Sequence, residues 1–283
     1  MTTPYIIGVR FRPVGKVYHY DASAHPEVEE GDFVVVPSRH GTQIGEVVVA
    51  FADPPPPPEE GWRAITRKAT GRDLTLRRLI RQEELRALLV AQEKARELDY
   101  AELQLVEAEI SFDERYLTFL YGVTNNTKVD IRRLHNALVR KFPRRQLSFR
   151  RIGPRDVAKL LPGMGACGRA VRCCNEFLAE FGPISIKMAK VQGISLTPSE
   201  ITGMCGRLRC CLMYEYEQYA EAVKQLPKRK KRVQTPQGEG KVIDVYPLKQ
   251  TVLVALPDGT VQEFHRDELQ QHPVEPATAG TSA

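Results

Sequence analysis

The chain has no run near the ~20 consecutive apolar residues that a membrane helix needs, so no span is expected. Its opening, MTTPYIIGVRFRP, shows no basic stretch leading into an apolar one, and neither Thr2 nor the closing Gly-Thr-Ser-Ala carries a lipidation motif. A cytoplasmic location is the expectation. Cysteine is missing everywhere outside residues 167–211, which excludes a disulfide framework running through the chain. No histidine lies between 136 and 264, so a site of two cysteines and two histidines would need a distant ligand. The six histidines (19, 25, 40, 135, 265 and 272) are scattered, and none stands beside a serine or cysteine in a catalytic arrangement. There is no G-x-x-x-x-G-K-[ST] loop. Gly163-x-Gly165-x-x-Gly168 matches a dinucleotide fingerprint in form only, because it follows a predicted helix where that motif needs a strand. Enzyme chemistry therefore has little to stand on.

The charge is unevenly placed. Residues 1–60 carry four basic against nine acidic side chains, whereas 111–160 carry twelve against four. Positive charge gathered in one segment points to a polyanionic or acidic partner and says nothing about fold. The candidate contacts are Arg132, Arg133, Arg140, Lys141, Arg144, Arg145, Arg150 and Arg151, with a second run at Lys228, Arg229, Lys230, Lys231 and Arg232. Each phosphate they met would make binding salt-dependent. Only Phe142 and Phe149 lie beside the first group, so a stacking platform is not expected.

A length of 283 residues suggests two domains. The expected class is α+β. Residues 1–53 read as a small N-terminal β-barrel, from short Val- and Ile-rich runs between Gly and Asp turns. Five prolines, Pro54 to Pro58, make 54–62 an extended linker. Residues 63–102 are a helical segment: Leu76, Leu79, Ile80, Leu85, Leu88, Leu89, Ala95 and Leu98 keep a helical beat from about 73 to 103, with Asp73 as cap. The order β-β-α-β-α over 103–162 fits part of a ferredoxin-like sandwich. A cysteine-rich module follows at 163–226, then an SH3-like small β-barrel at 227–272 and a disordered tail at 273–283. Tyr214, Tyr216 and Tyr219, on a predicted helix, read as packing or partner contacts.

The cysteine module contains a repeat. Gly163-Met164-Gly165-Ala166-Cys167-Gly168-Arg169 leads to Arg172-Cys173-Cys174, and Gly203-Met204-Cys205-Gly206-Arg207 leads to Arg209-Cys210-Cys211. The spacings are C-x5-C-C and C-x4-C-C. Two thiolates so spaced converge if the chain between them makes a tight turn, which the glycine after the first cysteine permits. Adjacent cysteines do not easily point both sulfurs at one tetrahedral metal, so each half is expected to offer two ligands, one sulfur of each pair approaching the first cysteine of its half. Four thiolates suit Zn²⁺ or an iron–sulfur cluster. Arg169, Arg172, Arg207 and Arg209 would offset their charge and donate hydrogen bonds to sulfur. Reduced buried thiols and disulfides remain open readings of the same six residues.

Cys167-Gly168-Arg169…Cys173-Cys174, Pro183-Ile184-Ser185-Ile186-Lys187-Met188-Ala189-Lys190 and Gly203-Met204-Cys205-Gly206-Arg207-Leu208…Cys210-Cys211-Leu212 resemble the RicT/YaaT family, of the "polymerase suppressor protein one, C-terminal" domain class. The resemblance runs from about residue 5 to 265. It implies a non-enzymatic regulatory subunit that joins RicA-like and RicF-like helical proteins in a complex carrying a [4Fe-4S] cluster. It further implies that the complex directs an RNase Y-type endoribonuclease in mRNA processing and influences sporulation. The ligands would come from Cys167, Cys173, Cys174, Cys205, Cys210 and Cys211. The extra residue before Cys173 departs from the family's C-x4-C-C spacing. A zinc-stapled nucleic-acid-binding protein and a thiol or flavin redox enzyme are the other two functions this sequence allows.

Overall fold

A computed structural model describes residues 4–12, 14–38, 41–124 and 128–269. The tail at 273–283, His40 and His272 lie outside the described residues. The chain divides into two compact units, residues 1–180 with Met204–Gly206, and residues 181–203 with the chain from Arg207 onward.

In the first unit, β1 (Ile6–Arg10), β2 (Val17–Asp21), β3 (Phe33–Ser38), β4 (Gly41–Ala50) and β5 (Arg67–Lys68) form an antiparallel sheet in the order β2-β1-β4-β3-β5. Ile7, Val9, Val34, Val36 and Val47 fill its core. Gly45 is required there, since a Cβ would stand 2.3 Å from a methyl of Val9. The barrel expected from the sequence does not close. Among the described residues, β2 meets the segment before β5 only where Asp21 donates its N–H to the Arg63 carbonyl and accepts from the Ile65 N–H, both at 2.9 Å. After the proline run β5 is two residues long, too short to ladder along β2.

The helix predicted over 73–103 is α1, Gly71–Glu97, and its N-cap is Thr70 rather than Asp73. Asp73 completes the capping box from the third helical position. Its carboxylate accepts from the Thr70 N–H at 2.7 Å and from both Nη atoms of Arg67 at 2.5 and 2.9 Å. Those bonds, Arg67 first, hold it well below the usual carboxylate range. The core face also differs from the leucine beat. Ile80, Ala87, Ala91 and Ala95 are buried, while Leu79, Leu85 and Leu89 are exposed. Alanines allow the helix axis to come close to the sheet beneath it.

That sheet comprises β6 (Leu103–Ile110), β7 (Tyr116–Val123) and β8 (Gln146–Arg151), with α2 (Arg132–Val139) between β7 and β8 and α3 (Pro154–Leu160) after them. The sequence alone reads Leu103–Ile110 and Tyr116–Val123 as the two strands of a hairpin, and the fold gives them those bounds in antiparallel pairing. The β-β-α-β-α order is also as read, but the ferredoxin-like topology is not. Three strands lie in the order β6-β7-β8, and β7 pairs with β8 in parallel through α2. Leu117, Phe119, Leu134 and Leu138 are fully buried between the helices and this sheet. Each such side chain contributes about 1.5–3 kcal/mol of burial.

The second unit holds α5 (Ile186–Val191), α6 (Pro198–Ile201), α7 (Cys211–Tyr214) and α8 (Tyr216–Lys224), with α4 (Cys173–Glu176) belonging to the first. Its sheet is β9 (Arg232–Thr235), β10 (Gly238–Tyr246), β11 (Thr251–Ala255) and β12 (Val261–His265), an antiparallel meander in the order β12-β11-β10-β9. The expected SH3-like barrel is here an open sheet over Val242, Val252, Val254 and Phe264. No helix among the described residues is long and apolar enough to cross a membrane.

The capping box supplies a first test. Because the folded-state pKa of Asp73 is depressed, its contribution is present above the ordinary carboxylate range and is lost as pH falls. Asp73→Asn is expected to lower stability at pH 7 by about 1–2 kcal/mol. The gap to the parent should narrow in urea titrations as pH drops below about 4.

Candidate metal centre

Both cysteine segments fold as one design. In the first, the Gly165 N–H donates to the Arg169 carbonyl at 2.8 Å, and in the second the Gly203 N–H donates to the Arg207 carbonyl at 2.8 Å. Each turn is five residues long, with cysteine at its centre and glycine next. Gly168 has φ +86° and Gly206 φ +71°, the left-handed region where a side chain is strained. The structural register therefore aligns Gly165, not Gly163, with Gly203.

A short helix precedes each turn, and the arginine ahead of each Cys-Cys pair closes that helix. Arg172 donates Nη1 to the Ala158 carbonyl at 2.7 Å, Nη2 to Pro162 at 3.0 Å and Nε to Met164 at 3.3 Å. Arg209 donates Nη2 to the Ser199 carbonyl at 2.8 Å and Nε to Thr202 at 3.3 Å. These carbonyls end or follow α3 and α6, where helices leave acceptors without partners and favour a cation. Asn175 adds a bond to the Lys159 carbonyl at 2.8 Å. The expected arginine–sulfur bonds give way to these main-chain contacts. Arg169 turns to Glu176, with Nη2 2.6 Å from its carboxylate, and stacks over Phe177 at 5.7 Å.

The sulfurs differ in environment. Cys167 is exposed, Cys173, Cys205, Cys210 and Cys211 are half-buried, and Cys174 is buried. Burial pushes the Cys174 thiol above its ordinary pKa, and the Arg172 charge partly opposes this. Cys205 and Cys173 also act electrostatically on Cys174. Cys167, Cys173, Cys174 and Cys205 thus belong to one compact unit, because the tip Met204–Gly206 clusters with the first half. Cys210 and Cys211, at the start of α7, belong to the second unit. Among the described residues no three His, Cys, Asp or Glu side chains stand close enough to hold a metal ion. The donor set fits a thiolate-bound metal in kind: Cys167 and Cys205 stand at the centres of the two turns, and Cys173 and Cys174 open α4 in the same unit.

Sequence reasoning did not find Lys159. It is half-buried near Cys174, and burial lowers its pKa. Only its place one residue from the end of α3 distinguishes it. Nor did the sequence separate the clamping arginines, Arg172 and Arg209, from their neighbours.

The basic candidates fall in different places. Arg132 and Arg133 lie on α2, with Arg140, Lys141 and Arg144 just beyond, all exposed. Arg145 is committed to Glu83 and Glu114, and Arg150 to Glu109 at 3.3 Å. Arg151 ends β8. Lys228, Lys230 and Lys231 are exposed before β9, whereas Arg229 pairs with Asp244 and Arg232 with Glu239 at 3.5 Å.

Two expectations test this site. Gly206→Ala meets no atom within 4 Å of the new Cβ, so its cost is conformational, about 1 kcal/mol in urea denaturation. In alkylation followed by mass spectrometry at pH 7.5, Cys167 should label well before Cys174. The rate for Cys174 should keep rising with pH beyond the ordinary thiol pKa of about 8.5, where that of an unshifted thiol levels off. Equal rates would contradict the burial described.

Residues 63–152 match the family described as PSP1 C-terminal conserved region, and residues 183–226 match the PSP1-like protein, third domain. The chain is 37% identical over 256 residues to stage 0 sporulation protein YaaT of Bacillus subtilis (strain 168), covering 89% of this chain and 90% of the relative. No solved structure matches.

Proposed function

The chain belongs to the PSP1-domain family that includes stage 0 sporulation protein YaaT, and from that premise we propose that it is a non-enzymatic, cytoplasmic regulatory subunit built around an iron–sulfur site. The observation that supports this reading is the pair of matched Gly-x-Cys-Gly-Arg turns, whose central Cys167 and Cys205 share one compact unit with Cys173 and Cys174. Those four are the ligand candidates within the unit, with Cys210 and Cys211 available for a site completed by further chains. A bound [4Fe-4S] cluster would supply a redox- and oxygen-sensitive crosslink between the two turns. The protein's own contribution is to fix the turns: Arg172 and Arg209 hold the main chain, and Gly168 and Gly206 set the reversal.

By its likeness to the RicT/YaaT family, the partners are RicA-like and RicF-like helical proteins and an RNase Y-type endoribonuclease. The role is control of mRNA processing, with an effect on sporulation where the organism sporulates.

Anaerobic purification after co-expression with those partners tests the reading. Iron, acid-labile sulfide and a broad visible absorbance are expected, and Cys205→Ser should remove all three while Asp73→Asn leaves them. Stoichiometric zinc without colour would replace the cluster by a structural staple. Neither metal, in the presence of the partners, would overturn a metal-based function.

A further inference from the structure

The order β6-β7-β8 leaves β8 with β7 on one side and, among the described residues, no strand on the other. The parallel ladder runs from the Gln146 N–H on the Arg115 carbonyl, at 2.7 Å, to the Ile152 N–H on the Tyr121 carbonyl, at 2.9 Å. Main-chain groups of the even-numbered residues thus face β7, and those of Leu147 and Phe149 point to the open edge. Beside that edge runs a groove of about 360 Å³ between α2 and β8. Ile131, Leu147 and Phe149 make its apolar part, and Arg132, His135 and Asn136 its polar wall. Phe149 is half-buried, and the His135 ring stands 6.0 Å from it at an interplanar angle of 56°.

The charges around this groove are unbalanced. Among the described residues, Arg132 has only the exposed Asp130 as an ion-pair partner, at 3.8 Å. Among the described residues no carboxylate lies within ion-pair distance of Arg133, Arg140, Lys141 or Arg144. Glu97 acts on Lys141 at longer range, and exposed cations in excess of acids suit a ligand carrying one negative charge per repeat.

We propose that the groove between α2 and β8 binds single-stranded nucleic acid, with one base against Phe149 and His135 and the backbone along Arg132, Arg133 and the cations beyond α2. The outward N–H and C=O groups of Leu147 and Phe149 meet the hydrogen-bonding edge of that base. A duplex hides its base edges and faces by pairing and stacking and does not fit a groove of this size. An acidic peptide added to the β8 edge would send alternate carboxylates to the opposite face of the sheet, so it matches the row of cations less well. The proposal is independent of the metal centre.

The test is fluorescence anisotropy of the full chain with a fluorescein-labelled twelve-nucleotide RNA of mixed sequence. For three to four phosphate contacts, affinity should fall about 20- to 50-fold between 50 and 200 mM potassium chloride. Arg132→Gln with Arg133→Gln, both exposed, should weaken binding and flatten the salt slope by about 1.4. Phe149→Leu should weaken it about tenfold or more with the slope unchanged, its fold checked by circular dichroism. Lys228→Gln with Lys231→Gln should bind like the parent. DNA of the same sequence binding equally well would support recognition of phosphate and base alone, and weaker DNA binding would add the ribose hydroxyl. Equal binding of duplex RNA, displacement by decaglutamate at equal charge, or unchanged affinity in the Arg132/Arg133 variant would each overturn the proposal.

Discussion

A guanidinium spent on main-chain carbonyls holds each cysteine turn in place. Arg172 gathers the carbonyls of Ala158, Pro162 and Met164, and Arg209 those of Ser199 and Thr202. Without it, carbonyls at the end of the preceding helix would lose their side-chain donor, and the main-chain bond across each turn would be left to hold the cysteine with less support. Its planar fork of donors spans several carbonyls at once, which a lysine ammonium does less well. The duplication in sequence is thus a duplication of helix, turn, clamp and helix, and the sulfurs are its cargo.

The same economy joins the pieces of the first unit. Arg67 on β5 meets Asp73 on α1, and Arg77 on α1 donates to the Ile44 and Phe11 carbonyls of the N-terminal sheet at 2.8 and 3.1 Å. Burial lowers the Arg77 pKa without removing its charge at neutral pH. A long helix with an alanine-lined face then seats closely on β6 and β7. That sheet in turn places α3 and the first cysteine turn.

Tertiary structure also sorts the arginines. On sequence, eight basic residues between 132 and 151 look alike. In the fold Arg145 and Arg150 are tied to acids from α1, β6 and the β6–β7 turn. Arg132 instead lines a groove that also holds Phe149, and the exposed Arg133 follows it on α2. The sparseness of aromatics along the chain hid this, because His135 and Phe149 come together only through the β7-α2-β8 crossover.

The sequence by itself determined the hairpin of β6 and β7, the β-β-α-β-α order, the long helix and the repeat of cysteines with its turn-forming glycines. These are local properties, set by alternation, helical periodicity and the freedom of glycine, and they are legible within a few residues. It did not determine whether sheets close, because closure depends on the length of a partner strand such as β5. Nor did it determine that β7 and β8 run parallel, which leucines face the core, or which arginines grip carbonyls. Those outcomes depend on what stands across the fold. Only the tertiary structure brought Cys205 into the unit of Cys174, since contacts between residues thirty positions apart are set by packing and leave no periodic mark in the chain.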